Sequence, residues 1–151
     1  MRRQLFFMLV WVAALLAGCG GQRFRPGTLP EGARADVAIL ETTDLHANVL
    51  SYDYFKLAED KSVGFERTAT LIRQARSDFP NTLLIDNGDT IQGTALADYQ
   101  ALVSPVSCSQ KLATYKAMDS LGYDAGTLGN HEFNYGLPYL AQVTGAKFNV
   151  D

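Results

Sequence analysis

Thr82-Leu83-Leu84-Ile85, running into Asp86-Asn87-Gly88-Asp89, is the stretch on which the fold turns. A short apolar run bounded by turn residues has the pattern of a buried strand. Asp78-Phe79-Pro80-Asn81 stops a helix just before it. Asp89, at its far end, has two carboxylate oxygens and no donor, so it can bridge two cations. Gly88 permits an unusual turn and a close backbone approach. Taken alone, Asp89 reads more readily as a cap for the segment from Thr94, or as a plain turn residue.

The same pattern recurs on both sides. Val37-Ala38-Ile39-Leu40 is a short apolar run that suits a buried strand, with Asp44-Leu45-His46 after it. Tyr123 to Leu128 reads as a strand weakened by Gly126, and Gly129-Asn130-His131-Glu132 follows. Ala146 to Val150 reads as a fourth strand. Between them, Phe65 to Ser77 is expected to be a helix presenting Leu71, Ile72 and Ala75 on one face. Helices are also expected over Thr94 to Leu102, Lys111 to Leu121 and Leu137 to Val143, the last with Pro138 in its first turn. Tyr52 to Ser62 reads as a loop or an irregular helix. Strands separated by helices imply an α/β fold with parallel pairing through crossovers. Ligands of such sheets gather beyond the carboxyl ends of the strands. All three polar clusters fall there.

Each cluster alone is ordinary. Asp44 and His46 flank Leu45, and in an extended chain they project to one side and can chelate one cation. A capping Asp beside a surface His would look the same. Asn130 offers a neutral carbonyl oxygen, whereas His131 is expected to point elsewhere and touch substrate. An Asn-His turn, with Glu132 and Phe133 as turn and anchor residues, is the plain alternative. Together, hard oxygens and imidazoles at one sheet rim can hold a pair of divalent ions, such as Mn, Zn or Fe, that activate water against a phosphate ester.

The bulk composition fits this. At 151 residues, 47% hydrophobic and a formal charge of −3, the chain suits one modest domain with a real core. It has no basic field, which argues against a nucleic-acid polymer as partner. Attraction for phosphate must then be local, from metals or helix N-termini. The start of the chain is not part of the globule. Met1-Arg2-Arg3-Gln4 is a basic n-region, and Leu5 to Leu16 is an apolar run of 12 residues, too short to span a bilayer. Leu16-Ala17-Gly18-Cys19 resembles a bacterial lipobox. Residues 1–18 are therefore expected to be a lipoprotein signal peptide, with Cys19 receiving a lipid and the protein anchored in the cell envelope on the periplasmic side. An ordinary secretory signal, leaving a soluble periplasmic protein, is the alternative. Removing residues 1–18 takes Arg2 and Arg3 and no acid, which leaves 11 basic against 16 acidic residues. Residues 19–35, rich in Gly, Pro and Arg, read as a flexible tether. With Cys19 lipidated, Cys108 has no partner in the chain, so a disulfide framework is excluded.

The stretches Glu41 to Asn48, Asp86 to Gly93 and Leu128 to Gly136 resemble the calcineurin-like metallophosphoesterases of the 5'-nucleotidase family. The likeness is strongest to the bacterial branch acting on 2',3'-cyclic nucleotides and 3'-nucleotides. It also touches Tyr52-Asp53-Tyr54, Asp98-Tyr99, Tyr115 to Met118 and Ala146 to Phe148, and so runs from about Leu40 to the last residue. It implies a partial calcineurin-like sandwich over residues 36–151, two divalent metal ions and a nucleotide substrate. By the same resemblance Asp44 and His46 bind the first metal, Asp89 bridges both and Asn130 binds the second. His131 contacts the phosphoryl group, while water activated by the metals attacks phosphorus in line.

Two departures from the family pattern matter. An Asp commonly stands three places after the catalytic histidine and orients it; here that position is Asn134, as in the cyclic-phosphodiesterase branch. The chain also holds two histidines in total, His46 and His131. The family completes its metal sites with histidines further downstream and carries a C-terminal domain that stacks the nucleobase. The chain is therefore expected to be the N-terminal part of a larger enzyme, truncated and nearly inactive alone. A non-catalytic lipoprotein remnant and a 5'-nucleotidase are the competing readings.

Overall fold

In chain order the elements are β1 (Ala38–Thr42), a hairpin of β2 (Tyr52–Asp53) and β3 (Ala58–Glu59), α1 (Phe65–Asp78), β4 (Thr82–Asp86), α2 (Ala95–Asp98) widening into a π turn (Tyr99–Val103), α3 (Ala113–Leu121), β5 (Ala125–Gly126), a 3₁₀ turn (Asn130–Phe133) and α4 (Leu137–Thr144). This computed structural model describes residues 30–147. The expected signal peptide, Cys19 and most of the 19–35 tether lie outside them, as do Phe148 to Asp151. No helix among the described residues is long and apolar enough to cross a membrane.

The sheet runs β1-β4-β5 and is parallel throughout. Ala38 pairs with Thr82 and Thr42 with Asp86, so β1 and β4 end level with each other. β5 joins late, at Ile85–Ala125 and Asp86–Gly126. The α/β class and the parallel pairing are as expected. The core on one sheet face is Phe65, Ala69 and Ile72 of α1, Leu84 of β4 and Leu121 of α3, with Leu40 and Met118 packed against it. A second cluster, Ile91, Val106, Leu112 and Leu140, forms under the π turn and α4. On the other sheet face Ile39 and Leu83 are exposed.

Four expectations need correction. α1 buries Phe65, Ala69 and Ile72, spaced i, i+4, i+7, whereas Leu71 is 70% exposed. The buried stripe is centred on Phe65, Ala69 and Ile72, and Leu71, about 100° round from Ile72, falls on the side of the helix away from it. Tyr52 to Ser62 is not helical. The Asp53 carboxylate accepts the Phe55 and Lys56 N–H groups at 2.9 and 3.0 Å and pairs with Lys56 Nζ at 2.9 Å, closing a hairpin. The Thr94 segment starts with Thr94 Oγ1 accepting the Ala97 N–H at 3.3 Å, but after Asp98 it loosens into π geometry. Of Tyr123 to Leu128, Ala125 and Gly126 form the strand, with the Asp124 and Thr127 N–H groups donating to the Leu84 and Asp86 carbonyls of β4 at 2.8 and 2.9 Å. At the expected fourth strand, Ala146 and Lys147 are irregular and Phe148 to Val150 lie outside the described residues.

Burial raises the phenols of Tyr115 and Tyr135 well above the ordinary tyrosine range. The charges of Glu132 and Asp86 add to the effect at Tyr115, and a 2.6 Å hydrogen bond to Asp98 adds at Tyr135. Both phenols stay protonated in the fold after they would ionise in the unfolded chain. Their contribution is complete below about pH 10 and is lost progressively above it, until the folded phenols themselves ionise. The thermal midpoint should therefore fall steadily from about pH 10 upward. Tyr135→Phe should flatten that fall in a melting series across alkaline pH. A flat profile for the wild type would contradict this.

Candidate metal centre

Beyond the strand ends the backbone continues to pair. Asp44 N–H donates to the Gly88 carbonyl at 3.0 Å, His46 N–H to Asp89 at 2.9 Å and Ala47 N–H to Thr90 at 2.8 Å. Loop 44–47 thus lies along loop 88–90. Asp44, His46, Ala47 and Asp89 all have positive φ, between 48° and 57°. Each such residue costs about 1–2 kcal/mol outside glycine. Strain of this kind clusters where side chains must be aimed. Asp44 and His46 are therefore not on an extended strand as expected. The turn still brings His46 Nε2 to 3.5 Å from Asp44 Oδ1.

The three clusters meet. One ligand atom each from His46, Asp89 and His131 lies within 4.8 Å of the others. The imidazoles of His46 and His131 stand edge to face with centroids 4.9 Å apart. The ring of His131, expected to point elsewhere, lies beside His46 and Asp89. Its backbone N–H donates to Asp89 Oδ1 at 2.8 Å. Asn130 opens the same turn, exposed, and Asp44 is exposed at the rim.

The donor set fits a divalent cation. His46 Nδ1 lies 2.7 Å from the Gln92 carbonyl, which can only accept, so Nδ1 carries the proton and Nε2 keeps its lone pair. His131 Nδ1 is buried without a hydrogen-bond partner among the described residues. An orphaned imidazole nitrogen beside a carboxylate and a second imidazole is unfavourable unless something coordinates it. Mixed imidazole and carboxylate donors suit Mn, Fe or Zn.

Asn134 does not hold the His131 ring. It is exposed and meets His131 only through its backbone N–H, 3.4 Å from the His131 carbonyl. Its αR backbone simply continues the 3₁₀ turn.

Two buried carboxylates behind the loops were not read from sequence. Asp86, 2% exposed, accepts Thr42 Oγ1 at 2.7 Å, Thr90 Oγ1 at 2.5 Å and the Gly88 N–H at 3.2 Å. The Thr42 proton is used on Asp86, so Tyr123, 2.9 Å away, donates to Thr42. Glu132, 1% exposed, accepts the Gly129 N–H at 2.7 Å. A Glu three places after a helix N-cap is a sequence signal for this reach-back bond. Read in Gly129-Asn130-His131-Glu132, it would have marked Glu132. No comparable signal marks Asp86.

A family profile described as calcineurin-like phosphoesterase matches residues 37–148. A 2',3'-cyclic-nucleotide 2'-phosphodiesterase/3'-nucleotidase of Yersinia enterocolitica is 47% identical over 119 residues, 78% of this chain and 18% of that protein. A snake venom 5'-nucleotidase of Gloydius brevicauda is 40% identical over 108 residues, 70% of this chain and 17% of that protein. The crystal structure of the calcineurin-like phosphoesterase YfkN from Bacillus subtilis superposes with a TM-score of 0.68 at 47% identity, covering 71% of this chain and 33% of the other. The chain thus spans about a fifth of the length of these curated relatives. Strand order, converging loops and the matched profile agree that this chain belongs to the calcineurin-like phosphoesterase family.

Proposed function

We propose that this chain supplies part of the dinuclear metal centre of a hydrolase of nucleotide phosphate esters, acting on 2',3'-cyclic nucleotides and 3'-nucleotides. The observation that carries the reading is the meeting of His46, Asp89 and His131 at the ends of parallel strands. Asp44, His46, Asp89 and Asn130 would hold two divalent ions, with His131 contributing to the same cluster. Bound metal would supply Lewis acidity and activated water for attack on phosphorus. The chain's own residues do the rest. The Gln92 carbonyl fixes the tautomer of His46, and the Asp89 carboxylate holds the His131 turn in place. The sequence contains no third histidine, so further imidazole ligands would come from outside these 151 residues.

The choice of ester rests on the relatives, of which one named for cyclic nucleotides is 47% identical and one named for 5'-nucleotides is 40% identical. A chimera tests it. This chain replaces the matching N-terminal part of the Yersinia enterocolitica relative, and Mn²⁺-dependent cleavage of 2',3'-cyclic AMP, 3'-AMP and 5'-AMP is measured. Cleavage of the first two, lost in Asp89→Asn, is expected, with almost none from the 151-residue chain alone. A folded chimera that prefers 5'-AMP would favour the 5'-nucleotidase reading. One that cleaves nothing would favour a non-catalytic remnant.

Export and anchoring belong to the same proposal. They are supported by the basic n-region, the apolar run and Leu16-Ala17-Gly18-Cys19. Labelled palmitate should enter the wild type and not Cys19→Ser; equal labelling would remove the anchor at Cys19.

A further inference from the structure

We infer that Glu132 is a positioning residue that sets the metal-binding loops against one another through backbone N–H groups. Its Oε2 accepts from Asp89 at 2.8 Å and from Gly129 at 2.7 Å, and its Oε1 from Thr90 at 2.5 Å and Ile91 at 3.2 Å. Capping the 3₁₀ turn needs only the Gly129 bond. The other three donors lie 41 to 43 residues earlier, on the loop that carries Asp89. A buried carboxylate is stable only when its charge is met, and four N–H groups meet it here.

The consequence reaches all three converging residues. Holding Asp89 N–H fixes the Asp89 backbone at φ 57°. The Asp89 carbonyl then receives His46 N–H at 2.9 Å, and its Oδ1 receives His131 N–H at 2.8 Å. Glu132 touches neither His46 nor the His131 amide through these bonds; it acts through Asp89. The inference deepens the proposed function, and its metal readout rests on that reading. Its second readout does not.

Glu132→Gln keeps the size but turns an amide NH₂ toward N–H donors. Amide exchange is measured on the metal-free chain, with Leu84 as a remote reference. The His131 amide should exchange about tenfold faster or more relative to Leu84, the factor of one charge-assisted hydrogen bond. Mn²⁺ affinity, measured by titration, should fall about 10–100-fold, as when a group behind metal ligands is lost. Unchanged His131 exchange in the folded variant, or equal acceleration at His131 and Leu84, would overturn the inference. Should Glu132→Gln fail to fold, Glu132→Asp, which keeps the charge on a shorter stem, is read by the same two amides. A wild type that binds no Mn²⁺ would sink the metal reading, and the exchange comparison would still decide the role of Glu132.

Discussion

Asp89→Asn should weaken Mn²⁺ binding more than about 100-fold, beyond the loss typical of a group behind the ligands, while leaving the fold within about 1 kcal/mol of the wild type. The two effects separate because Asp89 does two jobs. Its Oδ1 accepts the His131 N–H at 2.8 Å, which an Asn carbonyl oxygen can also do. Its φ of 57° is one that Asn tolerates. The negative charge that draws a cation is removed and the local hydrogen bond is kept. Calorimetric Mn²⁺ titration alongside urea unfolding checks both halves. Unchanged affinity would remove Asp89 from the site; a collapse of stability would make it chiefly structural.

Gly88→Ala should destabilise the chain by at least about 3 kcal/mol, among the larger effects of single substitutions. Gly88 has φ 91°, and a Cβ there would run into the backbone nitrogen of Gly129. Neither side can yield. Gly129 N–H is bonded to Glu132, and the 88–90 loop is bonded to loop 44–47. Gly145→Ala is the comparison. Its φ is 70° and no other described residue lies within 4 Å of the added carbon, so the left-handed penalty of about 1 kcal/mol is what remains. Equal losses for the two variants in urea unfolding would mean that backbone conformation, and not the close approach of two loops, governs Gly88.

Much of this was legible along the chain, because it is local. The apolar run before Asp86 is a strand whose Leu84 is fully buried, and the polar clusters do stand at strand ends. What escaped reading depends on partners distant in sequence or on the sign of φ. Nothing in Asp44-Leu45-His46 distinguishes an extended triplet from a left-handed turn, since Asp and His tolerate both. Asp86 and Glu132 are buried acids, and the burial depends in part on remote partners: the Thr42 hydroxyl 44 residues before Asp86, and N–H groups 41 to 43 residues before Glu132. Leu71 looks like core by composition, but it lies outside the buried stripe of Phe65, Ala69 and Ile72 and is exposed. β5 is short, its backbone bonds to β4 running from Asp124 to Thr127, a length that composition does not encode.

Mn²⁺ titrated into the isotopically labelled chain, followed by paramagnetic broadening of its amide signals, tests most directly whether three distant loops build one cation site. At low Mn²⁺ the amides of His46, Asp89 and His131 should broaden first and together, with Leu84 and the α1 amides following later. First broadening at the carboxylates of Asp53, Asp60 or Asp119, or at only one of the three loops, would contradict a shared metal centre.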